Sequence, residues 1–294
     1  IFIANLIASV ATFLSLIPFY FNLNYRFNSK LWRQMLAYAF PVLVAGVAFS
    51  INETFDSILL ERLLPENLSK TAIGTYSACY KLALFMTVFA TAYRLGIEPF
   101  FFSRAKDKYA KINYAKILEF FVIFGALILL CVVVFVDFLK IILIPNEAYW
   151  EAMDVVPILL LAYLFLGIYH NLSVWYKITD RTKFGAYISV FGALLTLIIN
   201  LLFIPKFSYM ASATATLMAY AAMAFISYVL GQKHYKVPYN LKKIGLYLML
   251  STGFSALSFY VFREQYLVGF GLILILSAVV WTKEKTELKQ LIKS

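Results

Sequence analysis

The sequence predicts an all-α polytopic membrane protein of about nine transmembrane helices, on three observations. Of its 294 residues, 63% are hydrophobic and only 14% charged, whereas soluble domains run at about 45–50% and about 25%. The mean hydropathy is +0.81. The apolar residues also fall into runs long enough for a bilayer, whose hydrocarbon core takes about 20 helical residues at about 1.5 Å rise each. Finally, Lys and Arg are concentrated in the short stretches between those runs.

The runs lie at 1–21, 34–61, 73–102, 116–144, 154–177, 184–204, 208–231, 241–262 and 266–282. The first carries no charge before Arg26, no Met start and no basic leader, so the chain reads as a fragment that begins mid-protein. The connection NLNYRFNSKLWRQ mixes bases with aromatics, which predicts an amphipathic segment along the membrane surface. The second run carries Asn52, Glu53 and Asp56 toward its outer end, and Pro41 near its start predicts a bend. Between the fourth and fifth runs, NEAYWEAMD places Tyr149 and Trp150 where aromatic belts form, and Pro157 predicts a second bend. The fifth run closes on Tyr169, His170, Asn171, Ser173 and Tyr176. The last span is the shortest.

Charge fixes the expected orientation. The net charge of +11 is spread unevenly: nineteen of the 26 Lys and Arg residues fall in the odd-numbered connections and the tail, and five in the even-numbered ones. Positive residues accumulate on the cytoplasmic side, so the odd loops and the C-terminus are expected inside and the first run starts at the outer face. A missed helix would invert every later loop, so the unbroken alternation supports the helix count as well.

Lys81 and Arg94 are the exceptions. They lie within the third run, IGTYSACYKLALFMTVFATAYRLGIEPFFFSRAKDK, together with Glu98. Each buried charge costs about 2.5–3.5 kcal/mol on insertion scales, so it needs a partner or a wet cavity. On a helical wheel Tyr76, Tyr80, Thr87, Thr91, Arg94 and Glu98 fall within roughly 60° of one line, while Lys81 lies roughly 80° or more off it. That stripe predicts a helix lining an aqueous path, with Lys81 turned toward a neighbouring helix instead. Glu53, Asp56 and Glu98 are the candidates for charge balance or cation coupling, with Glu53 or Asp56 paired to Lys81 or Arg94. The plain alternative is that Arg94 and Glu98, four residues apart, neutralise each other and hold the bundle together.

The residues offer little to an enzyme. There is no Gly-rich phosphate loop, no metal-spaced His/Cys set and no nucleophile elbow in the sequence. No cofactor, metal or nucleic-acid partner is expected. Cys79 and Cys131 lie within predicted spans and read as buried small apolar residues, and a lone membrane histidine such as His170 reads as a helix contact before a proton carrier.

Three stretches carry a family resemblance: NETFDSILLERLLP, YKLALFMTVFATAYRLGIEPFFFSRAKDK, and YWEAMDVVPILLLAYLFLGIYHNLSVWYKITDRTKFGAYISVFGALLT. Over about residues 30 to 230 the chain resembles bacterial polysaccharide biosynthesis proteins of the multidrug/oligosaccharidyl-lipid/polysaccharide (MOP) flippase superfamily, which includes the O-antigen flippases. The resemblance implies the second lobe of a two-lobed MOP/MATE-like transporter. Residues 1–21 would end the first lobe, 22–33 would link the lobes in the cytoplasm, 34–231 would form the second six-helix lobe, and 232–294 would add two helices and a basic tail. It implies a flippase in the bacterial inner membrane that moves undecaprenyl-pyrophosphate-linked oligosaccharide outward, with Lys81 and Arg94 as candidates to face its phosphates and Tyr76 and Tyr80 as substrate-binding candidates beside them. Its partners would be that lipid, the surrounding membrane lipids and the missing N-terminal lobe. A cation-coupled multidrug exporter of the same superfamily is the alternative, and a membrane polymerase or acyltransferase a more distant one.

Overall fold

The computed structural model describes residues 2–21 and 26–293, with side chains as far as Lys285. Its helices are α1 (Phe2–Phe21), α2 (Ser29–Leu63), α3 (Glu66–Ser103), α4 (Ala110–Val134), α5 (Val136–Leu143), α6 (Val155–Leu172), α7 (Val174–Ile178), α8 (Lys183–Phe207), α9 (Tyr209–His234), α10 (Leu241–Ala256) and α11 (Tyr266–Lys293). Among the described residues, nine helical stretches are long and apolar enough to cross a membrane, α6 with α7 and α10 with its continuation to Val261 each counting once. The all-α polytopic class expected from composition is the one observed.

Two local expectations need correction. Residues 22–25 of the first connection lie outside the described residues, and from Ser29 onward the rest runs straight into α2, so Trp32 and Arg33 belong to the spanning helix. Pro157 sits in the first turn of α6, where its missing N–H would have had no partner, so it starts a helix rather than bending one. Tyr149 and Trp150 lie half-buried on a 3₁₀ turn, Glu147–Ala152, with Trp150 Nε1 donating to the Ile144 carbonyl at 3.0 Å.

Two compact units divide the chain, one up to Ala39 and one from Phe40 onward. In the first, every described position of α1 is exposed or half-buried. In the second, α6 is the central post and packs against α3, α4 and α9, with α8 against α9 and α10 and α11 against α4. Leu159, Leu160, Ala162 and Leu164 of α6 are fully enclosed. Lipid supplies no hydrophobic drive between helices, so close packing must hold them, and small residues allow it. A Cβ added at Gly167 would lie 2.0 Å from Phe121, and one at Gly125 2.4 Å from Leu164.

The last two helices are held by charge, to α4 at one end and to α5 at the other. At one end Lys243 of α10 meets Glu119 of α4 at 2.9 Å and Glu284 of α11 at 2.7 Å, and the Tyr247 hydroxyl donates to Glu284. At the other, Arg263 meets Asp137 of α5 at 3.1 Å, and Lys140 meets the same carboxylate at 2.5 Å.

Candidate functional site

Two polar cavities lie against α2 inside an otherwise apolar bundle. The first is built on carboxylates. Glu53 and Asp56 are three residues apart on α2, close to one helical face, and face α3, α6, α8 and α9. The Glu53 carboxylate accepts hydrogen bonds from the hydroxyls of Tyr80 on α3 at 2.7 Å, Tyr163 on α6 at 3.0 Å, and Tyr220 on α9. The Tyr80 and Tyr163 hydroxyls also meet each other. Asp56, 5% exposed, accepts from Asn200 Nδ2 on α8 at 2.7 Å, from Tyr76 at 3.1 Å and from Thr216 on α9 at 3.2 Å.

Magnitudes explain why two carboxylates tolerate this depth. A charge at mid-membrane costs about 2.5–3.5 kcal/mol on insertion scales, while a hydrogen bond to a charged group contributes about 1.5–3 kcal/mol. Two such bonds to a carboxylate are enough to offset the cost. Not every group is satisfied: both side-chain atoms of Asn52 and the Asn200 Oδ1 are buried without partners. They stand beside a cavity of about 190 Å³ lined by Asn52, Glu53, Asp56, Tyr76, Tyr80, Tyr163 and Thr216 among others. The assembly offers oxygen atoms and two acids in a small space, chemistry suited to a proton or a small cation.

The second cavity is built on cations. Arg94 and Glu98 come from α3, His170 from α6 and Lys177 from α7. A cavity of about 230 Å³ is lined by Arg94, His170, Ser173, Tyr176, Lys177, Thr182 and Ser189, with Val42, Gly46 and Phe49 of α2 closing one wall. Glu98 is taken by Lys177, whose Nζ lies 2.6 Å from its Oε1. The Arg94 Nε is buried with no partner. Two cations and one carboxylate leave the cavity with a net positive balance, set by an arginine whose fork suits phosphate.

These positions correct the pairings expected from the sequence. The partners of Glu53 and Asp56 are neutral hydroxyls and an amide, not Lys81 or Arg94. Arg94 and Glu98 do not neutralise each other, because Lys177, 79 residues further on, reaches Glu98 first. Tyr76 and Tyr80 lie within the acid cluster rather than beside Arg94. Lys81 is exposed on α3, off the polar stripe, and lines neither cavity. Thr87 is half-buried with an unpartnered hydroxyl, and Thr91 is exposed.

Tyr163, Tyr220, Asn200, Thr216 and Lys177 escaped the sequence reading as site residues. Asn200, alone in the apolar run TLIINLLFIP, carried a usable signal, since an amide inside a span needs a partner. Tyr163 and Tyr220 carried none, because a single tyrosine in a helix of Leu or Ala also packs as an aromatic.

The sequence model of the MatE family matches residues 41–202, more than half of the chain. The chain belongs to the MatE family. The match spans α2 to α8 and so contains Glu53, Asp56, Arg94 and Lys177; α9, which adds Thr216 and Tyr220, lies beyond it. No curated protein matches the sequence. Among solved structures, this MatE-family chain is similar to an outward-facing multidrug resistance MATE family transporter of the MOP superfamily, with 18% identity, 77% of this chain and 52% of that one covered, and a TM-score of 0.59. It is similar to a MOP superfamily transporter from Pyrococcus furiosus, described by the reverse polarity of its binding pocket, with 19% identity, 77% and 52% coverage and a TM-score of 0.57. It is also similar to the lipid II flippase MurJ in an inward closed conformation, with 16% identity, 95% and 61% coverage and a TM-score of 0.67. At such identities the likeness establishes the fold alone, that of MOP-superfamily transporters. The chain spans 52% to 61% of those chains.

Proposed function

We propose that this MatE-family chain is the second lobe of a flippase that carries an undecaprenyl-pyrophosphate-linked oligosaccharide from the inner to the outer leaflet. The observation that carries this reading is Arg94, an ionised side chain within a span, its Nε unpartnered, in a cavity with Lys177 and His170. Moving a pyrophosphate through hydrocarbon is prohibitive for an isolated ion. Fixed cations facing a wet cavity lower that barrier, and rocking of one lobe against another opens the cavity to each side in turn. Lys81, exposed beside Tyr80, keeps a proposed phosphate-facing role, and Lys177 joins it. The Glu53–Asp56 cluster is the proposed coupling site, where uptake or release of a cation or proton resets the hydrogen bonds that hold α2.

In this reading 34–231 form the lobe, the two following helices are additions, and the chain works in the bacterial inner membrane with its C-terminus inside, without an enzymatic step. Arg94→Ala in the full-length protein is expected to abolish surface polysaccharide while membrane levels of the protein stay normal. Normal polysaccharide in that variant refutes the role given to Arg94.

The acid cluster favours a second reading, a cation-coupled multidrug exporter, because Glu53 and Asp56 would attract cationic drugs. A resistance assay separates the two. Drug sensitivity of a null strain with intact surface polysaccharide selects the exporter.

A further inference from the structure

The cationic cavity has an apolar neighbour. Between α2 and α8 lies a second hollow of about 450 Å³, lined by residues such as Leu43, Val47, Ile51, Val190, Ala193 and Leu197, all of its lining hydrophobic. That is about three times the ~150 Å³ of an apolar cavity that holds benzene.

The two hollows share both of their helical walls. On α2, Val42, Gly46 and Phe49 face the cationic cavity, and the interleaved Leu43, Val47 and Ile51 face the apolar one. On α8, Gly185 and Ser189 line the cationic cavity, and one turn further on Ala193 and then Leu197 line the apolar one. Steps of four residues keep one helical face, so the lining of α8 passes from polar to apolar along a single stripe. A pocket with net positive charge and a hydrocarbon-lined seam thus lie along the same two helices.

We propose that this seam holds the hydrocarbon chain of an anionic lipid whose phosphate head occupies the Arg94–Lys177 cavity. The inference rests on the flippase reading for its head-group and adds the path of the tail, beside α2 and α8 rather than in the surrounding bilayer. Charge complementarity selects the head and continuity of the stripe on α8 places the chain.

The test uses the full chain in nanodiscs, photolysed with phosphatidic acid bearing a diazirine in mid-chain, and in parallel with phosphatidylcholine bearing the same chain. Labelled peptides are mapped by mass spectrometry. Labelling by phosphatidic acid is expected on 43–55 and 190–197, about tenfold above phosphatidylcholine, and Arg94→Gln is expected to remove that excess. Inorganic pyrophosphate, added to the unmodified chain, is expected to displace the label without any substitution. Val190→Trp, at a position 37% exposed on the seam, is expected to lower labelling by crowding the chain. Equal labelling by both lipids makes the seam an ordinary lipid contact and overturns the proposal. Absence of label from both overturns it too, in favour of a protein segment closing the seam. Phosphatidic acid labelling that depends on Arg94 but maps to other helices overturns the tail path while leaving the flippase reading intact.

Discussion

At the scale of single residues, the central fact is how Glu53 and Asp56 are kept in the membrane. Every donor to them is uncharged. Neutral donors hold a carboxylate without cancelling its charge, which is what the coupling role proposed above requires. Tyr220→Phe removes one donor to Glu53 and adds no volume. It is expected to lower stability by about 1.5–3 kcal/mol, read as a fall in the melting temperature of purified protein, and an unchanged melt would show that Tyr220 merely packs. The stripe on α3 was legible in the sequence, because hydroxyls and charges recurring at helical spacing stand out against Leu and Phe. What each member touches was not. Tyr76 and Tyr80 turn to α2, and Arg94 to α6 and α7, partners separated from them by up to 83 residues in sequence.

At the scale of elements, the post α6 depends on close approach. Phe121 is fully enclosed and stacks on Phe89 at 5.3 Å, so it has no room to retreat from a new methyl group on Gly167. Gly167→Ala is expected to cost about 1–3 kcal/mol by overpacking, measured as loss of thermal stability in detergent, and a neutral result would mean that α4 and α6 slide apart at little cost. The α10–α11 pair is held differently, by ions. Glu284 is 1% exposed and Lys243 bridges it to Glu119. Removing one partner of a buried pair costs about 3–5 kcal/mol, so Lys243→Ala is expected to loosen α10 and α11 from α4. Proteolysis within the loop after Val261 and a lower melting temperature would register it. Sequence periodicity located each of these helices but stopped short of their polar ends, starting α4 at 116 rather than Ala110 and ending α11 at 282 rather than Lys293, and hydropathy is blind to the break at Phe135 between α4 and α5, where the run stays apolar.

For the whole molecule, the alternation of Lys and Arg predicts a direction that can be measured. In a cysteine-free background, Asp107→Cys on the third connection and Glu147→Cys on the fourth, both at exposed positions, are expected to react with a membrane-impermeant maleimide from opposite sides. Asp107→Cys should label only after the membrane is opened, and Glu147→Cys in intact cells. Labelling of both from one side would remove the orientation, and with it the direction of transport proposed above.

The sequence alone determined that this chain is a helical membrane protein and roughly where its spans lie, and its charge pattern predicts which side its loops favour. Those properties come from local hydrophobicity and from charge between spans, and each is written in a window of about 20 residues. It also marked Arg94, Glu53 and Asp56 as costly residues in need of company. Only the tertiary structure decided the company. Lys177, which the sequence did not single out, closes on Glu98, and Asn200, Thr216, Tyr163 and Tyr220 converge on the α2 carboxylates. The reason is physical: inside a bilayer a polar side chain must be satisfied by whatever donor the packing of small-residue contacts brings within reach, and that packing is a property of pairs of helices, not of either one's sequence.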